Sequence, residues 1–298
     1  MRGINSSMVN KLLLLVVSVI PLLAEGQSFY AIRRPRNLTV YGGTGTALYK
    51  GELVNPKTLG KVRYNLVFGA EYHFSGRVSV RAEATWFRIT GSDKDANDDR
   101  VERNLSFFSN NQELSVHGVV YFLKEPKQFY QRSAFNIYAF AGVGLLHMNP
   151  KAEYDGKKYA LQPLQTEGVK YSRFQTVIPF GVGVKFMIDP LHNLIIEGGY
   201  RTTFTDYLDD VSSRRYTDPQ LLDGGVGGLS ATLSDRRKER DPAYPLNYTK
   251  GVRGNPKQND GYFLMNVKLQ YYLPVAIGRD AEANRFYKKK RKLFNRKK

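Results

Sequence analysis

Apolar and polar residues alternate with period two in eight stretches of the chain, each about nine to eleven residues long, the length a tilted strand needs to cross a bilayer. The second, Val62 to Phe74, sets Tyr64, Leu66 and Phe68 against Arg63, Asn65 and Glu71. The third, Val78 to Trp86, sets Val78, Val80, Ala82 and Trp86 against Ser79, Arg81 and Glu83. In the fourth, Leu114, Val116, Val120 and Phe122 oppose Glu113, Ser115 and His117. The fifth places Phe135, Ile137, Val143 and Leu145 opposite Asn136 and Tyr138, and the sixth places Ile178, Phe180, Val182 and Phe186 opposite Lys185 and two glycines. The seventh opposes Leu194, Ile196 and Tyr200 to Glu197, Gly199 and Arg201. The eighth opposes Phe263, Met265, Val267 and Leu269 to Asn266, Lys268 and Gln270. The first, about Leu38 to Leu48, is weaker and rich in Gly and Thr.

Short and long connections alternate along these stretches. Short turns follow the second, fourth and sixth, at Ser75-Gly76, Lys124 to Ala134 and Asp189 to Asn193. Longer, more polar loops follow the others, the longest at about Thr205 to Asp260. This order predicts an all-β fold: an up-and-down antiparallel transmembrane β-barrel with long extracellular loops and both termini in the periplasm. A soluble sandwich or lipocalin-like barrel also alternates, but does not call for the long–short order. Eight strands are expected; Leu229-Ser-Ala-Thr-Leu233 leaves open an extra hairpin at the outer rim, making ten.

Composition agrees with this reading. The chain holds 20 Tyr, 17 Phe and 27 Gly, which favours β structure, and its mean hydropathy of −0.43 suits a barrel with a polar interior and polar loops. No segment beyond the first 26 residues approaches the ~18 consecutive apolar residues of a membrane helix. An eight-stranded barrel is filled by its own side chains. Its inward charges, Arg63, Arg81, Lys185, Arg201 and Lys268 with Glu71, Glu83 and Glu197, are therefore expected to pair into a plug that does not conduct.

Residues 1–26 read as a secretory signal peptide: Arg2 and Lys11 precede the apolar run Leu12 to Leu23, and Ala24-Glu25-Gly26 offers small residues for a cut before Gln27. The barrel is expected over 27–274, and 275–298 forms a basic periplasmic tail. Nine of the last fourteen residues are Lys or Arg, including Lys288, Lys289, Lys290, Arg291, Lys292, Arg296, Lys297 and Lys298. A basic run with aromatics usually suggests nucleic acid. Export removes that partner and leaves acidic proteins and outer-membrane lipid.

Candidate chemistry is sparse. The four His share no metal-site spacing and Cys is absent. His117 lacks any nucleophile pattern beside it and is expected to form hydrogen bonds in the lumen. The glycines of Tyr41 to Gly45 lack the Lys-Ser/Thr end of a phosphate loop and suit close backbone approach instead. No catalytic residue, cofactor or metal site is expected. In Thr205-Asp-Tyr-Leu-Asp-Asp-Val-Ser212, Asp206 is expected to cap a turn with Asp209 three residues on. A cation site from Asp206, Asp209 and Asp210 is the open alternative, although the spacing is not that of an EF-hand.

The same stretch carries a resemblance. Gly199-Tyr200-Arg201 followed by Asp206-Tyr207-Leu208-Asp209-Asp210-Val211-Ser212 and Tyr216 resembles the "GYR…TDYLDDVS…Y" segment of PorG-like proteins, outer-membrane barrel components of the type IX secretion system. Tyr49-Lys-Gly-Glu-Leu53 resembles that family's "Y-x-G-D-L", with Glu52 in place of Asp. The resemblance implies a non-catalytic barrel that anchors or positions a periplasmic ring of the secretion machinery, the ring proteins being its partners. The long insert from about Thr217 to Asp260 and the basic tail lie outside it. The alternative is a general structural or adhesion barrel of the OmpA/OmpX type.

Overall fold

The computed structural model describes residues 36–53, 63–95, 100–126, 131–244 and 252–275. The expected signal peptide and the basic tail, Lys288 to Lys298 included, lie outside them. Eight long strands of 11 to 16 residues dominate: β1 (Leu38–Lys50), β2 (Arg63–His73), β3 (Val78–Ser92), β4 (Ser106–Tyr121), β5 (Phe135–His147), β8 (Phe174–Met187), β9 (His192–Thr203) and β10 (Gly261–Tyr272). Each pairs antiparallel with its neighbours in the order β3-β2-β1-β10-β9-β8-β5-β4, and pairing of β3 with β4 closes the barrel. No described helix is long and apolar enough to cross a membrane.

Alternation sets the two faces. Leu66, Phe68, Trp86, Leu114, Val116, Val143, Val182 and Val267 are exposed on the outside, while Asn65, Glu71, Arg81, Glu83, Glu197 and Lys268 are buried inside. An apolar outer wall around a closed ladder is the solution a bilayer demands, because no edge is left unpaired in hydrocarbon. The seam between β1 and β10 is tight: a Cβ on Gly43 or Gly45 would lie 2.4 or 1.8 Å from the carbonyl oxygens of Val267 or Met265. The glycines of the first strand thus serve close backbone approach, as their pattern predicts.

The short turns and both described ends of the barrel share one end of the molecule. There His73 N–H donates to Asn37 and Leu273 N–H to Leu38. The long connections gather at the other end.

The remaining strands are a hairpin, β6 (Pro150–Tyr154) and β7 (Lys157–Ala160), which hangs on the end of β4 through Phe108 and Ser109. It replaces the hairpin considered at Leu229–Leu233, which instead lies in a helix, Leu229–Ser234. Asp155 and Gly156 make its turn with φ of 49° and 70°, the left-handed geometry that suits a two-residue hairpin loop. In the helix, Leu229 and Leu233 are four apart and share a face, a spacing that competes with strand alternation in so short a segment.

Candidate functional site: a packed lumen beneath a folded cap

Inside the barrel the charges meet. Lys268 Nζ lies 2.6 Å from Glu83 Oε2 and 2.7 Å from Glu197 Oε1. Arg81 pairs with Glu197 and, at 3.4 Å, with Glu71. Arg201 faces Glu113 at 3.6 Å and Glu83 at 3.9 Å, and Lys185 pairs with Glu125. Tyrosine hydroxyls take up further carboxylate lone pairs: Tyr41 on Glu83, Tyr121 on Glu71, Tyr138 on Glu197 and Tyr262 on Glu113. The Arg81 guanidinium sits over the Tyr41 and Tyr138 rings at 5.4 and 5.2 Å. Below this layer Val119, Tyr121, Tyr138, Phe140 and Ile195 form an apolar cluster. The lumen is filled by paired charge and aromatic rings, as expected.

Two inward residues depart from expectation. Arg63 stays half-buried at the long-loop rim and donates to Thr90 Oγ1 at 3.2 Å, outside the charge network. His117 is buried, but neither ring nitrogen has a hydrogen-bond partner among the described residues; it packs on Phe140 with centroids 5.3 Å apart.

The long connections fold into a cap with its own core. Leu53, Leu105, Leu161, Tyr171, Leu208, Val211 and Leu233 from the loops pack on Tyr49, Phe87, Ile89, Phe107, Leu146, Val177 and Leu264 from the strand ends. The upper inward positions of the strands are apolar and receive the loops. Loop ion pairs hold the edges: Arg103 to Asp93 at 2.7 Å, Arg253 to Glu167, and Arg237 to Asp235 at 2.6 Å.

The motif residues spread from the barrel wall into this cap. Gly199 and Arg201 point inward on β9, and Tyr200 points outward, with Lys50 Nζ 5.3 Å from its ring centre. The Tyr207 ring stacks on Tyr171 at 4.7 Å, and Leu208 is fully buried. Asp210, in the left-handed region at φ 69°, accepts from Thr166 and Tyr171. Asp209 accepts from Val211 N–H at 2.9 Å and from Tyr49 hydroxyl at 2.7 Å. The two stretches singled out separately in the sequence, Tyr49–Leu53 and Asp206–Ser212, thus form one unit.

Asp206 does not cap a turn: neither of its oxygens has a hydrogen-bond partner among the described residues. Leu208 N–H is taken instead by Asp260 Oδ2 at 2.9 Å. Nor do Asp206, Asp209 and Asp210 converge on one point. Asp206 gathers with Glu52 and Asp260, carboxylate oxygens of all three lying within 4.8 Å of one another. Burial pushes the Asp206 carboxyl up to about 7, and the neighbouring Glu52 charge adds to this. Burial and then mutual repulsion also raise Asp209 and Asp260 well above the usual carboxylate range. Asp260 carried no signal in the sequence, and Glu52 was marked only by the Tyr49–Leu53 resemblance; their meeting was not legible because they flank loops far apart in the chain.

A family model described as a domain of unknown function, DUF6089, matches residues 35–225. The chain belongs to this family. The DUF6089 match covers β1 to β9 and the DYLDDV stretch, and ends before β10, the strand that joins β1 to β9. Comparison with curated proteins finds no match. Among solved structures, Neisserial surface protein A is similar at a TM-score of 0.41 and 9% identity, over 79% of this chain and 97% of its own. A major outer membrane protein from Thermus thermophilus follows at 0.38 and 13%, over 79% and 98%. OprG, an outer membrane protein from Pseudomonas aeruginosa, gives 0.36 and 9%, over 82% and 99%. These likenesses are too low to bear on function; the closed ladder and apolar wall establish the outer-membrane type of barrel on their own.

Proposed function

We propose that this DUF6089 barrel is a non-conducting, non-catalytic component of the outer membrane that anchors or positions the periplasmic ring of the type IX secretion machinery. The observation that carries the non-conducting part is the lumen, where Arg81, Arg201 and Lys268 are held among Glu71, Glu83, Glu113 and Glu197 beneath a cap with an apolar core. The anchoring part is supported by the resemblance at Tyr49–Leu53 and Gly199–Ser212, of which Tyr49, Leu53, Leu208 and Val211 share one core and Tyr49 bonds Asp209. In this reading the cap faces outward, and the short turns and basic tail face the periplasmic ring.

Two measurements test it. Purified protein in a planar bilayer is expected to give no stable single-channel steps, and reproducible steps would end the sealed-plug reading. Deletion in a secreting cell is expected to abolish export of type IX cargo, whereas normal export would leave the general structural or adhesion barrel. That second reading is favoured by a rim cavity of about 650 Å³ lined by charges of both signs, Arg63, Arg88, Lys94 and Arg236 with Glu153, Asp155 and Glu239, a polar recess able to hold a ligand.

A further inference from the structure

Four carboxylates meet where β1, β9 and β10, neighbours in the barrel, leave the wall. Glu52 follows β1, Asp206 follows β9, and Asp260 precedes β10. Asp209 joins them through Tyr49, whose hydroxyl lies 2.7 Å from Asp209 Oδ2 and 2.9 Å from Asp260 Oδ1. A hydroxyl has one proton, so it satisfies only one of two ionised acceptors. Positive charge of some other kind is required here.

The described cations supply it only from beyond ion-pair range, Arg103 acting on Glu52 and Asp209 and Arg253 on Glu52. No Lys or Arg nitrogen among the described residues lies within ion-pair distance of any of the four. Arg103 is committed to Asp93, and its remaining donors reach the backbone oxygens of Glu52 and Arg253. Arg253 is committed to Glu167. Asp206 is 7% exposed with both oxygens unpartnered, and Glu52 Oε2 is unpartnered as well. Burying a carboxylate that accepts nothing is strongly unfavourable unless it is neutralised. The backbone is built for this convergence. A Cβ on Gly51 would lie 2.0 Å from Asp260 Oδ1 and 1.9 Å from the Tyr49 hydroxyl, so a side chain at position 51 would displace these two groups.

The geometry points to a calcium site formed by Glu52, Asp206 and Asp260, which staples the exits of three adjacent barrel strands beneath the cap. All three ligands are hard oxygens, as calcium prefers. One carboxylate oxygen from each residue lies within 4.8 Å of the other two, close enough for a single ion to bridge; calcium accepts flexible sites built mainly from protein oxygens, whereas magnesium usually keeps several waters and takes only one or two carboxylates. The ion joins the Tyr49–Leu53 stretch to the Asp206–Ser212 stretch.

The test uses the full chain folded in detergent micelles, with terbium and calcium as probes. Tyr49 beside the site should sensitise terbium emission that saturates near one ion per chain and is displaced by calcium more readily than by magnesium. Asp206→Asn should weaken calcium binding by at least about tenfold, while Asp189→Asn at the opposite end should leave it unchanged. Calcium should also slow proteolysis within residues 204–260 relative to chelator. Absence of saturable binding to the folded wild-type chain would overturn the site and leave shared protons as the neutralising charge. So would unchanged affinity in both Asp206→Asn and Asp260→Asn, or calcium binding that leaves cap proteolysis unaltered. If the variants fail to fold, the wild-type stoichiometry and the proteolysis comparison decide the matter. Secretion plays no part in this test.

Discussion

Lys268 shows what an inward charge requires. Its ammonium is buried between Glu83 and Glu197, and it is tolerable there because each nearby carboxylate also receives a second donor, Tyr41 on Glu83 and Tyr138 and Arg81 on Glu197. Lys268→Met removes the cation and leaves two buried acids facing each other. The expected loss is about 3–5 kcal/mol, the usual cost of orphaning a buried charge, read as a shift of the urea unfolding midpoint in micelles. Adding Glu197→Gln should restore part of it, because the two residues share one network. A loss below about 1 kcal/mol would mean the network contributes no more than surface pairs do. At this scale the sequence was readable where strand alternation assigned the face, as for Arg81, Glu83, Glu197 and Lys268. Alternation does not tell where along its length a strand leaves the lumen, so Arg63 at the rim was misplaced. It also says nothing of turns, so Glu125, the partner of Lys185, was missed.

The strands were legible as elements because a bilayer imposes one rule on all of them, apolar outside and polar within. The cap obeys no such rule. Leu53, Leu208 and Leu233 stand singly in polar sequence, and their partners lie far away in the chain, so no local period marks them as core. The cap's acids carry a pH dependence of definite sign. Burial pushes Asp210 up to about 7, the hydrogen bonds from Thr166 and Tyr171 offsetting part of the effect. A carboxyl raised in the folded state favours folding below its unfolded pKa and loses that contribution as pH rises through the folded value. Between pH ~4 and ~7 the cap should therefore loosen as pH increases, seen as faster cleavage within 204–260 in calcium-free buffer, after correction for the protease's own pH profile. Asp210→Asn should flatten this slope without disturbing the fold, since Asn also tolerates the left-handed backbone at this position. An unchanged slope would assign the pH dependence to the Glu52, Asp206, Asp209 and Asp260 group instead.

For the whole molecule, the distribution of charge separates the barrel from its tail. The chain carries a formal charge of +18, and residues 285–298 hold nine basic and no acidic residues, half of that excess. The ladder makes its last described backbone bond at Leu273, whose N–H donates to Leu38 at 3.0 Å. Closure of the barrel thus rests on residues up to that point, and β10 completes its pairing with β1 and β9 by Tyr272. Ending the chain after Asn284 is therefore expected to leave insertion and heat resistance unchanged. What it should remove is electrostatic attraction at the short-turn end, where the chain leaves β10. Such attraction is screened within ~8 Å at physiological ionic strength, so the effect should depend steeply on salt. In pull-downs from intact envelopes, the full chain should retain acidic ring proteins at low salt and lose them as salt rises, and the truncated chain should retain few at either. Equal retention by the two chains across the salt series would take the tail out of the interface and place any contact on the short turns.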